Sequence, residues 1–219
     1  MLGYLIEFCS KYYMLVKNLI IGCQMKHIKA SDYKVMPWKN GGGETREVAF
    51  GNSEKSTQQA PDWRVSIATI SKSGPFSTFP DIDRTIALIK GDDVVLTIND
   101  MDNNTGKIVL NQNGDCYSFI GEAKVYAEVS GGASTDLNIM TNRHYFQHHM
   151  QRLNQPLPPL NAAQIIKIFL VATAGTDLTI GEKLVALGEL DTLIFDGGDV
   201  LDNLPQNANV IAIFVMNNA

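Results

Sequence analysis

What most constrains this chain is a rhythm of short β-branched runs divided by clusters of Asn, Asp and Gly. In "DWRVSIATI" (62–70), Trp63, Val65, Ile67 and Thr69 alternate with Arg64, Ser66, Ala68 and Ile70, which puts the two sets on opposite faces of a strand. "RTIALIKG" (84–91), "DVVLTIND" (93–100), "GKIVLNQNG" (106–114) and "AKVYAEVSGG" (123–132) follow, with "DMDNNTG" and "NQNGD" supplying turn residues between them. Later strands are expected at "DLNIM" (136–140), "IIKIFLVA" (165–172), "TLIFD" (192–196) and "NVIAIFVM" (209–216). So many short strands with regular turns imply an all-β sandwich or barrel. One segment breaks the rhythm. "TNRHYFQHHMQRLN" (141–154) is expected to be helical, ended by the prolines of "QPLPPLN" (155–161). "GNSEKSTQQAP" (51–61) reads as a loop and "DGGD" (196–199) as a structural turn.

Length and charge narrow the function. A chain of 219 residues, 45% hydrophobic and 19% charged, holds one large or two small globular domains. Its net charge of −5 and lack of a Lys/Arg run disfavour nucleic acid and anionic membranes as partners. Cys9, Cys23 and Cys116 are odd in number and lack CxxC spacing, which fits inert thiols in a reducing cytoplasm. At the N-terminus, Glu7, Lys11, Lys17 and Asn18 interrupt the apolar residues, so the segment suits neither export nor a membrane span. Residues 1–24 are expected to be an extension outside the fold, with the natural start at Met25.

"WKNGGGETRE" (38–47), "WRVSIATI" (63–70), "GPFSTFPDIDRT" (74–85), "FIGE" (119–122) and "DLNIM" (136–140) together resemble the HutD/Ves family. The resemblance runs from about Met25 to the C-terminus and is strongest before residue 145. It implies a tandem cupin, or double jelly roll, with one or two short helices. The first cupin-like unit would cover 25–145 and the second 146–219, packed together. Asp81 departs from the pattern, standing where the family has Gly. The HutD branch accompanies histidine-utilisation genes, and a ligand such as formylglutamate has been suggested for it. The resemblance implies no established catalytic activity.

A metal cupin presents His-x-His, then Glu, then Gly, with a further His from a second motif. Counting back from Gly91 places Arg84 at the Glu position and Phe79 and Ser77 at the two His positions, while "FIGEAK" offers Lys124 for the last. None of the four is a fitting ligand, because a guanidinium stays protonated and a phenyl ring has no lone pair to give. The expectation is a site without metal or other cofactor. His144 and His148 carry the i, i+4 spacing of a helical metal pair, with Asp136 available as a third group. No HExxH Glu accompanies them, so a solvated His-bearing face is the simpler reading.

The glycine triplet of "WKNGGGETRE" lets backbone approach a ligand or another strand, and Asn40-Gly41 signals a tight turn. Lys39, Asn40, Thr45, Arg46, Glu47, Arg64, Ser66, Phe76, Ser77, Asp83, Arg84, Asp136, Asn138 and Met140 form the candidate pocket, suited to a small carboxylate such as formylglutamate. Two alternatives stand beside it. Arg46–Glu47, Arg64 and Asp83–Arg84 could instead be structural ion pairs. A metal-free isomerase or lyase would need a base, for which Glu47 and Lys124 are the candidates; a purely structural partner is the weakest reading. The resemblance leaves room for a homodimer.

Overall fold

The computed structural model describes residues 25–57, 59–102, 104–198 and 204–218. The readings made for residues 1–24, among them the start at Met25, lie outside these. Seventeen strands among the described residues, numbered in chain order, fall into three sheets and a ribbon. A six-stranded sheet runs β2 (Lys34–Pro37), β3 (Gly43–Gly51), β4 (Trp63–Ile70), β11 (Ser134–Asn142), β6 (Ile82–Lys90) and β9 (Tyr117–Ile120). A five-stranded sheet runs β1 (Met25–Ile28), β16 (Thr192–Asp196), β13 (Ile165–Ala172), β17 (Asn207–Asn217) and β12 (Phe146–Leu153). The third sheet holds β5 (Gly74–Pro75), β10 (Lys124–Val129), β7 (Val94–Asn99) and β8 (Thr105–Leu110), and the ribbon pairs β14 (Thr176–Ile180) with β15 (Lys183–Leu187). Every pairing is antiparallel, and no strand order closes on itself. Helix is confined to two 3-10 turns among the described residues, Ala30–Asp32 and Ala162–Gln164. No described helix is long and apolar enough to cross a membrane.

Side-chain alternation stacks these pieces into layers. Val65 and Ile67 of β4, Leu137 and Ile139 of β11, and Ala87 and Ile89 of β6 face the five-stranded sheet, meeting Phe169, Val171, Ile211 and Ile213. Trp63 and Phe169 bridge the two sheets with ring centroids 5.8 Å apart. The opposite face of the five-stranded sheet carries Ile168, Leu170 and Phe214, which the ribbon covers with Leu178, Ile180, Val185 and Leu187. A sheet buried on both faces needs apolar residues at every step, which explains the unbroken "IIKIFLVA" and "NVIAIFVM". The outer face of the six-stranded sheet packs Ile70, Ile86 and Leu88 against Leu96 and Val125 of the third sheet.

The helix expected over 141–154 is absent. Thr141 and Asn142 end β11, a turn follows, and Phe146–Leu153 is strand β12 beside β17. Phe146, His148, Met150 and Arg152 point at the six-stranded sheet, where Arg152 donates to the carbonyls of Leu88 at 2.8 Å and Gly114 at 2.9 Å. Pairing with the apolar run Val210–Met216 of β17 overrides a helical spacing that no helix cap reinforces. His144 and His148 therefore share no helix face. His144 sits exposed in the turn, 3.3 Å from Asp81, whereas His148 is wedged between the hydroxyls of Thr85 and Thr141, each at 2.7 Å.

Candidate functional site

On its outer face the six-stranded sheet sets side chains in rows, because antiparallel partners share a face. Arg64, Met140 and Arg84 make one row across β4, β11 and β6; Ser66, Asn138 and Ile86 make the next, and Ala68, Asp136 and Leu88 the third. Phe119 of β9 extends the first row beside Arg84. Above these rows lies a cavity of about 530 Å³.

Two segments roof it. The β2–β3 turn brings Trp38, Lys39 and Asn40 to the lining, held by Trp38 N–H to Gly43 O at 2.9 Å and Gly41 N–H to Trp38 O at 3.0 Å. The glycine triplet is explained here. Gly41 has φ +65°, and a Cβ on Gly43 would stand 2.1 Å from the Thr69 carbonyl. Trp38 Nε1 donates to Thr45 Oγ1 at 2.8 Å, fixing the indole at the rim. The other segment follows β5, where Phe76 N–H donates to Val125 O at 2.9 Å and Phe79 N–H to Gly121 O at 2.8 Å. Those bonds hold Phe76, Ser77 and Phe79 over the rows.

Arg84 is the centre of the site. It is buried, its guanidinium lies 4.9 Å from the Phe119 ring centroid and 5.5 Å from those of Phe76 and Phe79, and its one hydrogen bond among the described residues is a long 3.4 Å reach to Ser77 O. Its Nε has no partner. Burial lowers the guanidinium to about 10, partly offset by Asp136, and at neutral pH it still carries its charge. Asp136 is buried too, and its carboxyl is pushed up to about 7 by desolvation against the pull of Arg84 and Asn138. Oδ1 of Asp136 and Oδ1 of Asn138 receive no hydrogen bond. Arg64 Nε stands 3.1 Å from Glu47 Oε2, close enough for an ion pair but at an angle that makes no hydrogen bond. A buried cation with spare donors and two bare acceptors are costly unless something polar meets them.

Eleven of the fourteen sequence candidates line this cavity: Lys39, Asn40, Thr45, Arg64, Ser66, Phe76, Ser77, Arg84, Asp136, Asn138 and Met140. Arg46, Glu47 and Asp83 do not. The ion pairs also differ from those expected between sequence neighbours. Arg46 meets Glu44 at 3.0 Å, Glu47 meets Arg64, and Asp83 meets Arg143 at 3.0 Å. Adjacent strand residues point to opposite faces, so Arg46–Glu47 and Asp83–Arg84 are out of reach of each other. Trp38, Phe79 and Phe119 were missed as parts of the site. Phe79 was within view of sequence reasoning through its place in the metal-cupin count. Of the four positions in that count, Ser77, Phe79 and Arg84 line the cavity, while Lys124 begins β10 outside it.

The sequence model of the HutD family matches residues 30–212 of this chain. An uncharacterised 21.2 kDa protein in the hutC 3' region of Pseudomonas putida is 31% identical over 178 residues, covering 81% of this chain and 90% of that one. Protein Ves of Citrobacter koseri is 38% identical over 117 residues, 51% of this chain and 56% of that protein. Among solved structures, HutD from Pseudomonas fluorescens SBW25 superposes with a TM-score of 0.69 at 25% identity, covering 90% of this chain and all of that one. The tandem cupin class expected from the sequence holds, with its sheets left open.

Proposed function

The chain belongs to the HutD family, and from that premise we propose that the cavity of its six-stranded sheet binds a small carboxylate without metal. The observation that carries this reading is Arg84, buried among three phenyl rings with a single long hydrogen bond and no carboxylate within ion-pair distance among the described residues. A carboxylate would take the free edge of the guanidinium in a bidentate bond, and Arg64 in the same row would add a second cation. Phenyl faces tolerate the cation through their quadrupoles while excluding water, which strengthens that bond. Ser77, Phe79 and Arg84 in the ligand positions of a metal cupin support a site that works without a metal. The naming of the Pseudomonas putida relative for its hutC region supports a regulatory place beside histidine utilisation, with formylglutamate, glutamate and urocanate as acids to try first. The enzyme reading finds less support: Glu47 faces Arg64 and Lys124 lies outside the lining.

Calorimetric titration of these acids against the wild type and Arg84→Lys tests the reading. Lys keeps the charge but loses the planar fork, so affinity should fall roughly tenfold to a hundredfold. Equal affinity in the variant, or no binding of any acid by the wild type, would overturn it.

A further inference from the structure

The acceptor side of the cavity says more about the ligand than the arginines do. Asp136 and Asn138 are 2% and 6% exposed, both line the cavity, and neither Oδ1 receives a hydrogen bond. Such oxygens are not spectators. An acid that fills the cavity with methylene groups alone would strip them of water and leave buried lone pairs unmet, which works against its own binding.

We propose that the molecule recognised here carries, besides its carboxylate, a hydrogen-bond donor (an amino, amide or hydroxyl group) that meets Asp136 Oδ1 and Asn138 Oδ1. This rests on the carboxylate reading above and narrows it to amino, acylamino or hydroxy acids. The strand supplies a ruler. Asn138 stands one row from Arg64, Met140 and Arg84, and Asp136 two rows away. Rows two residues apart lie about 7 Å from one another along a strand. A carboxylate on the arginine row therefore puts Asn138, one row away, within reach of a five-carbon chain, with Asp136 beyond it on the next row.

Glutarate, glutamate and 2-hydroxyglutarate share one carbon skeleton and differ only in the donor. Titrated into the full-length wild type, glutamate and 2-hydroxyglutarate should bind on the order of tenfold tighter than glutarate or better. In Asp136→Asn the gap should shrink several-fold. Equal affinities across the three acids in the wild type would overturn the inference while leaving the carboxylate reading standing, and no binding by any of them would bring down both. A preference that survives undiminished in Asp136→Asn would also overturn it, the donor then being read elsewhere. Should Asp136→Asn fail to fold, Asn138→Ala takes its place, and the wild-type series decides by itself.

Discussion

Asp136 in the cavity wall and His148 between the sheets are displaced in opposite ways by the same cause. Desolvation lowers His148 to about 4, with Asp83 pulling it back and His149 adding to the shift, so the folded protein prefers the neutral ring. The stability this contributes is present above the ring's unfolded value of about 6.5 and is lost as pH falls through 4. Desolvation raises Asp136 to about 7, so its contribution is present below the unfolded value of about 4 and is lost as pH rises through 7. Each is worth on the order of 3 kcal/mol over its window, and the windows nearly coincide. The wild type should therefore show a shallow stability profile between pH 7 and 4.5. His148→Gln should grow more stable on acidification and Asp136→Asn less, read from urea midpoints at each pH. Parallel profiles in all three proteins would refute the opposition. At this scale the sequence is half legible. Alternation along "DWRVSIATI" and "DLNIM" assigns Arg64, Ser66, Asp136 and Asn138 to one face, yet the partner of Asp83 is Arg143, sixty residues away, and only the register of β11 on β6 brings them near.

At the level of elements, the β11–β12 turn is clasped by that same Arg143. Its Nη1 and Nη2 bond Glu122 at 2.8 and 2.9 Å, Nε bonds Asp83 at 3.0 Å, and Nη2 also reaches Ile82 O at 2.7 Å. The clasp holds the Glu122 carboxyl down at about 2. Arg143→Ala should cost about 1–2 kcal/mol in thermal or urea unfolding, clearly more than Arg46→Ala, whose pair with Glu44 is a half-exposed neighbour contact. Asp81 opens the facing turn with φ +62°, a left-handed conformation that Asp bears better than most residues. Its N–H donates to Glu122 Oε1 at 2.7 Å and its carbonyl accepts from Arg143 N at 2.9 Å. The Gly that the family resemblance leads one to expect at this position would thus have a backbone reason, and Asp keeps the turn. Asp81→Gly should leave the melting temperature unchanged or higher, while Asp81→Val should lower stability by about 1–2 kcal/mol. β12 was illegible for a different reason. Its two faces meet different layers, so polar and apolar residues do not sort by a period of two, and nothing local announces that β17 lies alongside.

Over the whole molecule, the N-terminal strand does not stay with the strands that follow it. β1 pairs with β16 in the five-stranded sheet, and the link to β2 is pinned there by His27 Nε2 and Ala30 N–H to Asp191, both at 2.9 Å, and by Tyr33 Oη to Leu190 O at 2.6 Å. The chain is therefore stitched early to its own late strands. A protein beginning at Lys34 loses this edge and leaves the Thr192 hydroxyl and Leu190 carbonyl without Tyr33, so its melting temperature should drop by several degrees relative to the full chain. No drop in a calorimetric scan would show the stitch to be idle. Turn spacing made the all-β class readable in the sequence, but nothing in "MKHI" says which sheet it joins.

The six-stranded sheet also bears on how such a protein can change by descent. In β4 and β11 alternate residues (Arg64, Ser66 and Ala68; Asp136, Asn138 and Met140) face the cavity, with Arg84 of β6 beside them, and the residues between them build the seam with the five-stranded sheet. A codon gained or lost within β11 would send Leu137 and Ile139 into the cavity and Asp136 and Asn138 into the seam, ruining both surfaces at one stroke. Lineages can reshape the cavity wall here only by substitution at alternate positions, while lengthening and shortening are confined to the turns that roof the cavity. Their diversity should accordingly be found in the 38–43 and 74–80 segments, over three central strands whose lengths stay fixed.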